Sequence, residues 1–152
     1  MPSMLSVTKV LNPDKGFSCV FRQWSAESHC HLLHGYDLIF EFEFACPPEN
    51  LTKEGWVVDF GAFDTLKYAL AERFDHTLII ASDDPYRNEL LALAKHGIAT
   101  VYEMPHIGCE MFAIEACKLA AAWLDTIGRA NSVQVVQVTV REHGANAVTY
   151  YP

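Results

Sequence analysis

Cys30-His31-Leu32-Leu33-His34-Gly35-Tyr36-Asp37-Leu38-Ile39-Phe40-Glu41-Phe42-Glu43-Phe44 is the stretch on which the fold turns. From residue 38 onward Leu38, Phe40, Phe42 and Phe44 fall on one parity and Glu41 and Glu43 on the other, the period-2 pattern of a strand with one face buried. Ahead of that strand stand the thiol of Cys30 and the imidazoles of His29, His31 and His34. A strand end is a rigid place from which to project side chains, and Gly35 lets the backbone pass close to a neighbour or turn without a side-chain clash. Two readings of the cluster stand side by side: a chemical site at the strand mouth, or a polar loop whose histidines face water.

Outward from this strand the pattern continues. Residues 4–10 and 16–24 read as extended segments around the turn-forming Asn12-Pro13-Asp14-Lys15-Gly16, an opening hairpin or a broken first strand. After the loop Pro47-Pro48-Glu49-Asn50 comes Gly55-Trp56-Val57-Val58-Asp59-Phe60, and then Phe63, Leu66, Lys67, Leu70 and Phe74 recur at helical spacing, predicting a helix over 61–73. Asp59 stands where it would cap that helix. Asp75-His76 follows it directly, ahead of the apolar Leu78-Ile79-Ile80. A second helix is predicted over 85–95, opened by Pro85 and stopped by His96-Gly97, and a short strand over 98–102. Phe112, Ala116, Leu119, Trp123 and Ile127 form one stripe that Gly128 ends, so 109–127 is the best helix, with alanines suited to close packing on a sheet. Strands over 133–142 and 147–151 are joined by His143-Gly144-Ala145-Asn146. On the first of them Val136, Val138, Val140 and Glu142 share a face, so a carboxylate continues an apolar row, a costly place unless donors meet it. Strands, then helices, then strands make an α+β layout, an antiparallel sheet covered on one side by helices.

Composition bounds the possibilities. At 152 residues the chain is the size of one ordinary domain, and residues 1–152 are read as one. No apolar run reaches the ~18 residues of a membrane helix, and 1–10 lacks the apolar core of a secretory signal; a cytoplasmic protein is expected. The five cysteines are scattered and odd in number, with no Cys-x-x-Cys pair, which argues for reduced thiols over a disulfide framework or a cysteine zinc ribbon. A net charge of -8 with no Lys/Arg cluster argues against nucleic-acid binding, because little is present to neutralise phosphates.

Taken together, Cys30 four residues ahead of His34-Gly35, the strand after it, Gly55-Trp56-Val57-Val58-Asp59-Phe60 before a helix, Asp75-His76 after that helix, Glu110 opening the long helix and Val138-Thr139-Val140-Arg141-Glu142 resemble the 6-pyruvoyltetrahydropterin synthase and 6-carboxytetrahydropterin synthase family along nearly the whole chain. The resemblance implies the tunnelling fold: a four-stranded antiparallel sheet with two main helices packed on one face, closed into a barrel by oligomerisation. It implies self-association to a trimer or hexamer with sites at subunit interfaces. It implies a pterin ligand, a zinc ion on three histidines, Cys30 as catalytic base, Asp75 and His76 handling protons from a neighbouring subunit, Glu142 anchoring the pterin ring and Glu110 beside the pocket. A carboxylate can accept two parallel hydrogen bonds from an aminopyrimidine edge, which would supply the donors Glu142 lacks. His76 with Asp75 suits acid–base work, and imidazolium near Cys30 would favour the thiolate. The plainer alternatives are a helix-end histidine for Asp75-His76 and a dipole-favoured first-turn carboxylate for Glu110.

The departure from the family is in the metal. Phe21 stands where the first-strand histidine belongs and Tyr36 where the second histidine of the His-Gly-His motif belongs, leaving His34 as the one remaining ligand of an incomplete site. A catalytic zinc takes three protein ligands and an open position. Three accounts follow: a metal centre rebuilt from His34 with His29, His31 or Cys30; metal-free acid–base chemistry such as aldol-type cleavage of a dihydroneopterin side chain; or a non-catalytic pterin-binding or assembly subunit. Retention of Cys30, Asp75, His76 and Glu142 favours an enzyme, a lyase acting on a pterin side chain.

Overall fold

The computed structural model describes residues 1–152. Strands β1 (Leu5–Leu11) and β2 (Phe17–Phe21) both run antiparallel to the 13-residue strand β3 (His34–Cys46), one after the other along the same edge. The opening pair is therefore one broken strand and not a hairpin. At the break Asn12 has φ 50° and Gly16 φ 65°, and an added Cβ on Gly16 would lie 2.7 Å from the carbonyl oxygen of Asp37. Only glycine lets the chain turn this close to β3.

Helix α1 (Asp64–Phe74) leads into strand β4 (Thr77–Ala81), helix α2 (Arg87–Lys95) and strand β5 (Thr100–Met104). Helix α3 (Cys109–Thr126) then precedes strands β6 (Gln134–His143) and β7 (Asn146–Tyr150). The strands form one seven-stranded sheet in the order β5-β4-β2-β3-β6-β7, with β1 beside β3. This corrects the expected four-stranded antiparallel sheet. The β1/β2, β3, β6 and β7 part is antiparallel, but β4 pairs parallel to β2 and β5 parallel to β4. The helix α2 supplies the crossover that a parallel pair requires.

The helices also divide between faces. Leu38, Phe40, Phe42 and Phe44 of β3 are fully buried, as the alternation required, and their cluster includes Leu66, Leu70 and Phe74 of α1 and Phe112, Ala116 and Trp123 of α3. In β4 neighbouring residues point to opposite faces. Ile79 joins that main core, whereas Leu78 and Ile80 pack with Leu90 of α2 in a second, smaller one. So α2 lies across the other face of the sheet from α1 and α3, and the expectation of helices on one face is corrected for it. Two local details differ as well. Asp59 caps no helix: its Oδ1 accepts from Gly61 N at 2.8 Å in a local turn, and α1 begins three residues later than the spacing suggested. A bulge between Glu43 and Phe44 leaves Val135, not Val136, opposite Phe44. No helix is long and apolar enough to cross a membrane.

Candidate functional site

The β2–β3 register brings three rings together. Phe21 pairs with His34 and Cys19 with Tyr36, so these side chains share the helix-covered face. Ring centroids stand 5.0 Å apart for Phe21 and His34, 5.9 Å for Phe21 and Tyr36, and 5.5 Å for His34 and Tyr36, with Phe112 of α3 edge-on to Phe21 at 5.2 Å. Three imidazoles around one zinc, each nitrogen about 2.0–2.1 Å from the ion, would have centroids about 5 Å apart. The separations are near that value, and they are also those of ordinarily packed aromatic rings; the donors are not those of a zinc site. Phe21 offers no lone pair. Burial, then the neighbouring Glu142 carboxylate, hold the Tyr36 phenol above its usual range and hence protonated. The residues do not fit the metal that the resemblance implied. Nor is a substitute set gathered: His34 Nδ1 sits 2.8 Å from the Leu32 carbonyl, His31 Nδ1 sits 2.7 Å from that of Ser28, and no three His, Cys, Asp or Glu side chains converge to hold an ion.

Around this triad lie the predicted pterin-side residues. Tyr36 feels Glu142 and Cys30, and its ring is 6.0 Å from that of His143. The Cys109 thiol, at the start of α3, is pushed up to about 12 by burial and then by the charges of Glu142 and Glu110. Gly108 brings α3 in tightly, since an added Cβ would lie 3.0 Å from Gln23 Nε2 and 3.2 Å from Glu110 Oε2. Cys30, Tyr36, Glu110 and Glu142 thus belong to one neighbourhood, with Glu142 half-buried at the end of the Val138 and Val140 row. None of the principal cavities of the chain is lined by these four residues. The neighbourhood is an open wall.

Cys30 sits in the 3-10 turn His29–His31, capped by Ser28. Gln23 N donates to the Cys30 carbonyl at 2.9 Å, and Arg22 Nη1 donates to the His31 carbonyl at 3.0 Å. Arg22 and Gln23 were not flagged by sequence, because an arginine and a glutamine after a strand carry no pattern.

Asp75 and His76 form a separate group. Asp75 Oδ1 accepts from Ser18 N at 3.1 Å and lies 3.2 Å from His76 Nδ1. The His76 backbone, at φ 55°, donates to the Ser18 carbonyl at 2.6 Å, and its side chain is 87% exposed. His76 thus adopts a left-handed conformation uncommon for residues other than glycine, pinned to β2 by its own N–H and by the neighbouring Asp75 carboxylate, with its ring turned outward. Within one chain no hydrogen bond or ion pair joins Asp75 or His76 to Cys30, Tyr36 or Glu142. His76 instead lines a cavity of about 280 Å³ with Ser18, Val20 and Leu33 on the other side of β2.

Known proteins resemble the chain at two levels. Residues 11–152 match the family described as 6-pyruvoyl tetrahydropterin synthase. The 6-carboxy-5,6,7,8-tetrahydropterin synthases of Rickettsia felis and Rickettsia conorii are each 33% identical over 82 residues, 53% of this chain and 55% of theirs. The match thus spans about half the length of these curated relatives. Among solved structures, a protein of Wolinella succinogenes superposes with a TM-score of 0.78 at 20% identity, covering 98% of both chains. The 6-pyruvoyltetrahydropterin synthase of Plasmodium vivax superposes with a TM-score of 0.70 at 15% identity, covering 99% of this chain and 98% of that one. At these identities the superpositions establish a shared fold.

Proposed function

The chain belongs to the 6-pyruvoyl tetrahydropterin synthase family, and from that membership we propose that it binds a pterin of the dihydroneopterin type and performs acid–base lyase chemistry on its side chain at a site not built on zinc. The observation that carries this reading is the convergence of Cys30, Tyr36, Glu110 and Glu142 beside a ring triad that lacks the metal donors. Glu142 accepts the paired N–H groups of the aminopyrimidine edge. Cys30 and the Asp75-His76 pair exchange protons with the side chain. In an aldol-type cleavage the base takes a side-chain hydroxyl proton, a carbonyl forms as the carbon–carbon bond breaks, and the electron pair left on the ring-side carbon takes up a proton from the acid. Tyr36, kept neutral, is placed to donate a hydrogen bond where the family would place a cation.

Because the wall is open and Asp75-His76 stands apart from Cys30 within one chain, the complete site is formed between subunits, in a trimer or hexamer. Three unpaired edges, on β1, β5 and β7, are available for that assembly.

Replacement of two of the three metal-position histidines favours a second reading, a pterin-binding or assembly subunit without turnover. One experiment separates them: titrate dihydroneopterin into wild type and Glu142→Gln, then assay turnover with and without chelator. A loss of affinity of about tenfold or more in Glu142→Gln supports the pocket, since a charge-assisted pair contributes roughly 1.5–3 kcal/mol. Unchanged affinity removes it. Binding without turnover under either condition leaves the assembly reading.

A further inference from the structure

The turn that carries Cys30 is suspended from a clamp that the pterin reading leaves without a role. Arg22, the first residue after β2, forks onto Asp84 through Nε to Oδ2 at 2.8 Å and Nη2 to Oδ1 at 2.7 Å, and it keeps Nη1 for the His31 carbonyl at 3.0 Å. The side chain of Asp84 is 1% exposed and that of Arg22 17%. Asp84 Oδ1 also accepts from Tyr86 N at 2.8 Å, and the Tyr86 ring lies 5.7 Å from the guanidinium carbon. Every polar atom of the pair on the buried side is committed. Gln23, next in sequence, donates its backbone N–H to the Cys30 carbonyl at 2.9 Å. Two adjacent residues therefore hold two adjacent carbonyls, one at Cys30 itself and one just beyond it.

We propose that Arg22, fixed by Asp84, is the positioning residue that sets the place and accessibility of the Cys30 thiol, so that the loop between β4 and α2 governs the strand-mouth site. The assignment deepens the reading of Cys30 as a reacting group and rests on it. A guanidinium forked onto a carboxylate has one orientation, which a lysine ammonium at the same place does not share. Removing either partner of so buried a pair leaves the other unpaired, and the third donor of Arg22 then loses its aim. The loop at residues 82–86 belongs to the β4-α2-β5 unit, which reaches the segment after β2 through the Arg22–Asp84 pair and, two residues on, through Trp24 Nε1 donating to Asp83 Oδ1 at 3.1 Å; of the two only Arg22 also holds the Cys30 turn.

The test needs no substrate. Cys30 is half-buried, whereas Cys19, Cys46, Cys109 and Cys117 are buried, so alkylation of the native full chain reads Cys30. Iodoacetamide labelling is followed site by site by mass spectrometry in wild type, Asp84→Asn, Arg22→Gln and Arg22→Lys. Asp84→Asn and Arg22→Gln are expected to change the Cys30 labelling rate about tenfold while the other four thiols stay unlabelled, as local release of one turn requires. Arg22→Lys is expected to restore part of the difference from Arg22→Gln. Unchanged Cys30 labelling overturns the proposal, and so does labelling of all five cysteines together, which would make the pair a prop of the whole fold. If Asp84→Asn does not fold, Arg22→Lys against wild type decides alone, with equal rates overturning the proposal. Because no pterin enters the measurement, failure of the pterin reading leaves this result standing on its own.

Discussion

Phe21, His34 and Tyr36 meet ring to ring at 5.0–5.9 Å because they occupy facing positions on β2 and β3, a geometry that strand register sets and no metal is needed to hold. Two side chains therefore decide whether the place coordinates an ion. The double substitution Phe21→His with Tyr36→His should give a chain that retains close to one zinc through gel filtration, read by elemental analysis beside wild type, with either single variant holding much less. Phe21 is 3% exposed against Phe112, so the metal-free double variant should melt below wild type, because a buried imidazole lacks partners, and zinc should raise its melting temperature. A double variant that holds no more zinc than wild type would show that the ring positions do not match a ligand set.

At the scale of elements, β2 and the start of α3 each contribute a buried thiol, Cys19 and Cys109, that feel one another. The Cys19 thiol is pushed up to about 12, by burial first and then by Cys109, and Cys109 is pushed up to about 12 by burial and then by Glu142. In the unfolded chain both ionise at their ordinary value of 9.0. The folded values are raised, so the contribution to stability is complete below pH 9 and is lost as pH rises from there toward 12. Urea unfolding should show stability falling from pH 9 to 10.5, and the fall should be shallower in the Cys19→Ala, Cys109→Ala double variant; parallel slopes would mean that other groups govern the alkaline limit. These elements also show what the sequence made legible. β3 could be read because one face is buried and the other polar, and α3 because a wide stripe ends at a glycine. β4 could not, since all five of its residues are buried and leave no period to find, and its parallel pairing with β2 is fixed by residues far along the chain. Glu142 was visible as a carboxylate continuing an apolar row. The Arg22–Asp84 pair, 62 residues apart, left no local trace.

At the scale of the whole molecule, the two halves of the proposed chemistry do not meet in one chain. Cys30, Tyr36 and Glu142 form an open wall, while His76 is 87% exposed on the other side of β2 and held there by Ser18. Buried Cys19 stands between them, raised in part by both Cys109 and Asp75. A second subunit that brings its own His76 to this wall would complete the site, and the sheet edges on β1, β5 and β7 offer the means of holding it. Light scattering should then give a mass three or six times 17.1 kDa. The sharper prediction concerns mixing. Cys30→Ala and His76→Ala should each be inactive alone, yet unfolding them together and refolding them as mixed assemblies should return about a quarter of wild-type activity, because half the walls keep Cys30 and half of their neighbours keep His76. If each chain instead carries a complete site, no mixture recovers activity, since every subunit lacks one group. A monomer in solution would give the same silence, and the scattering measurement tells the two apart.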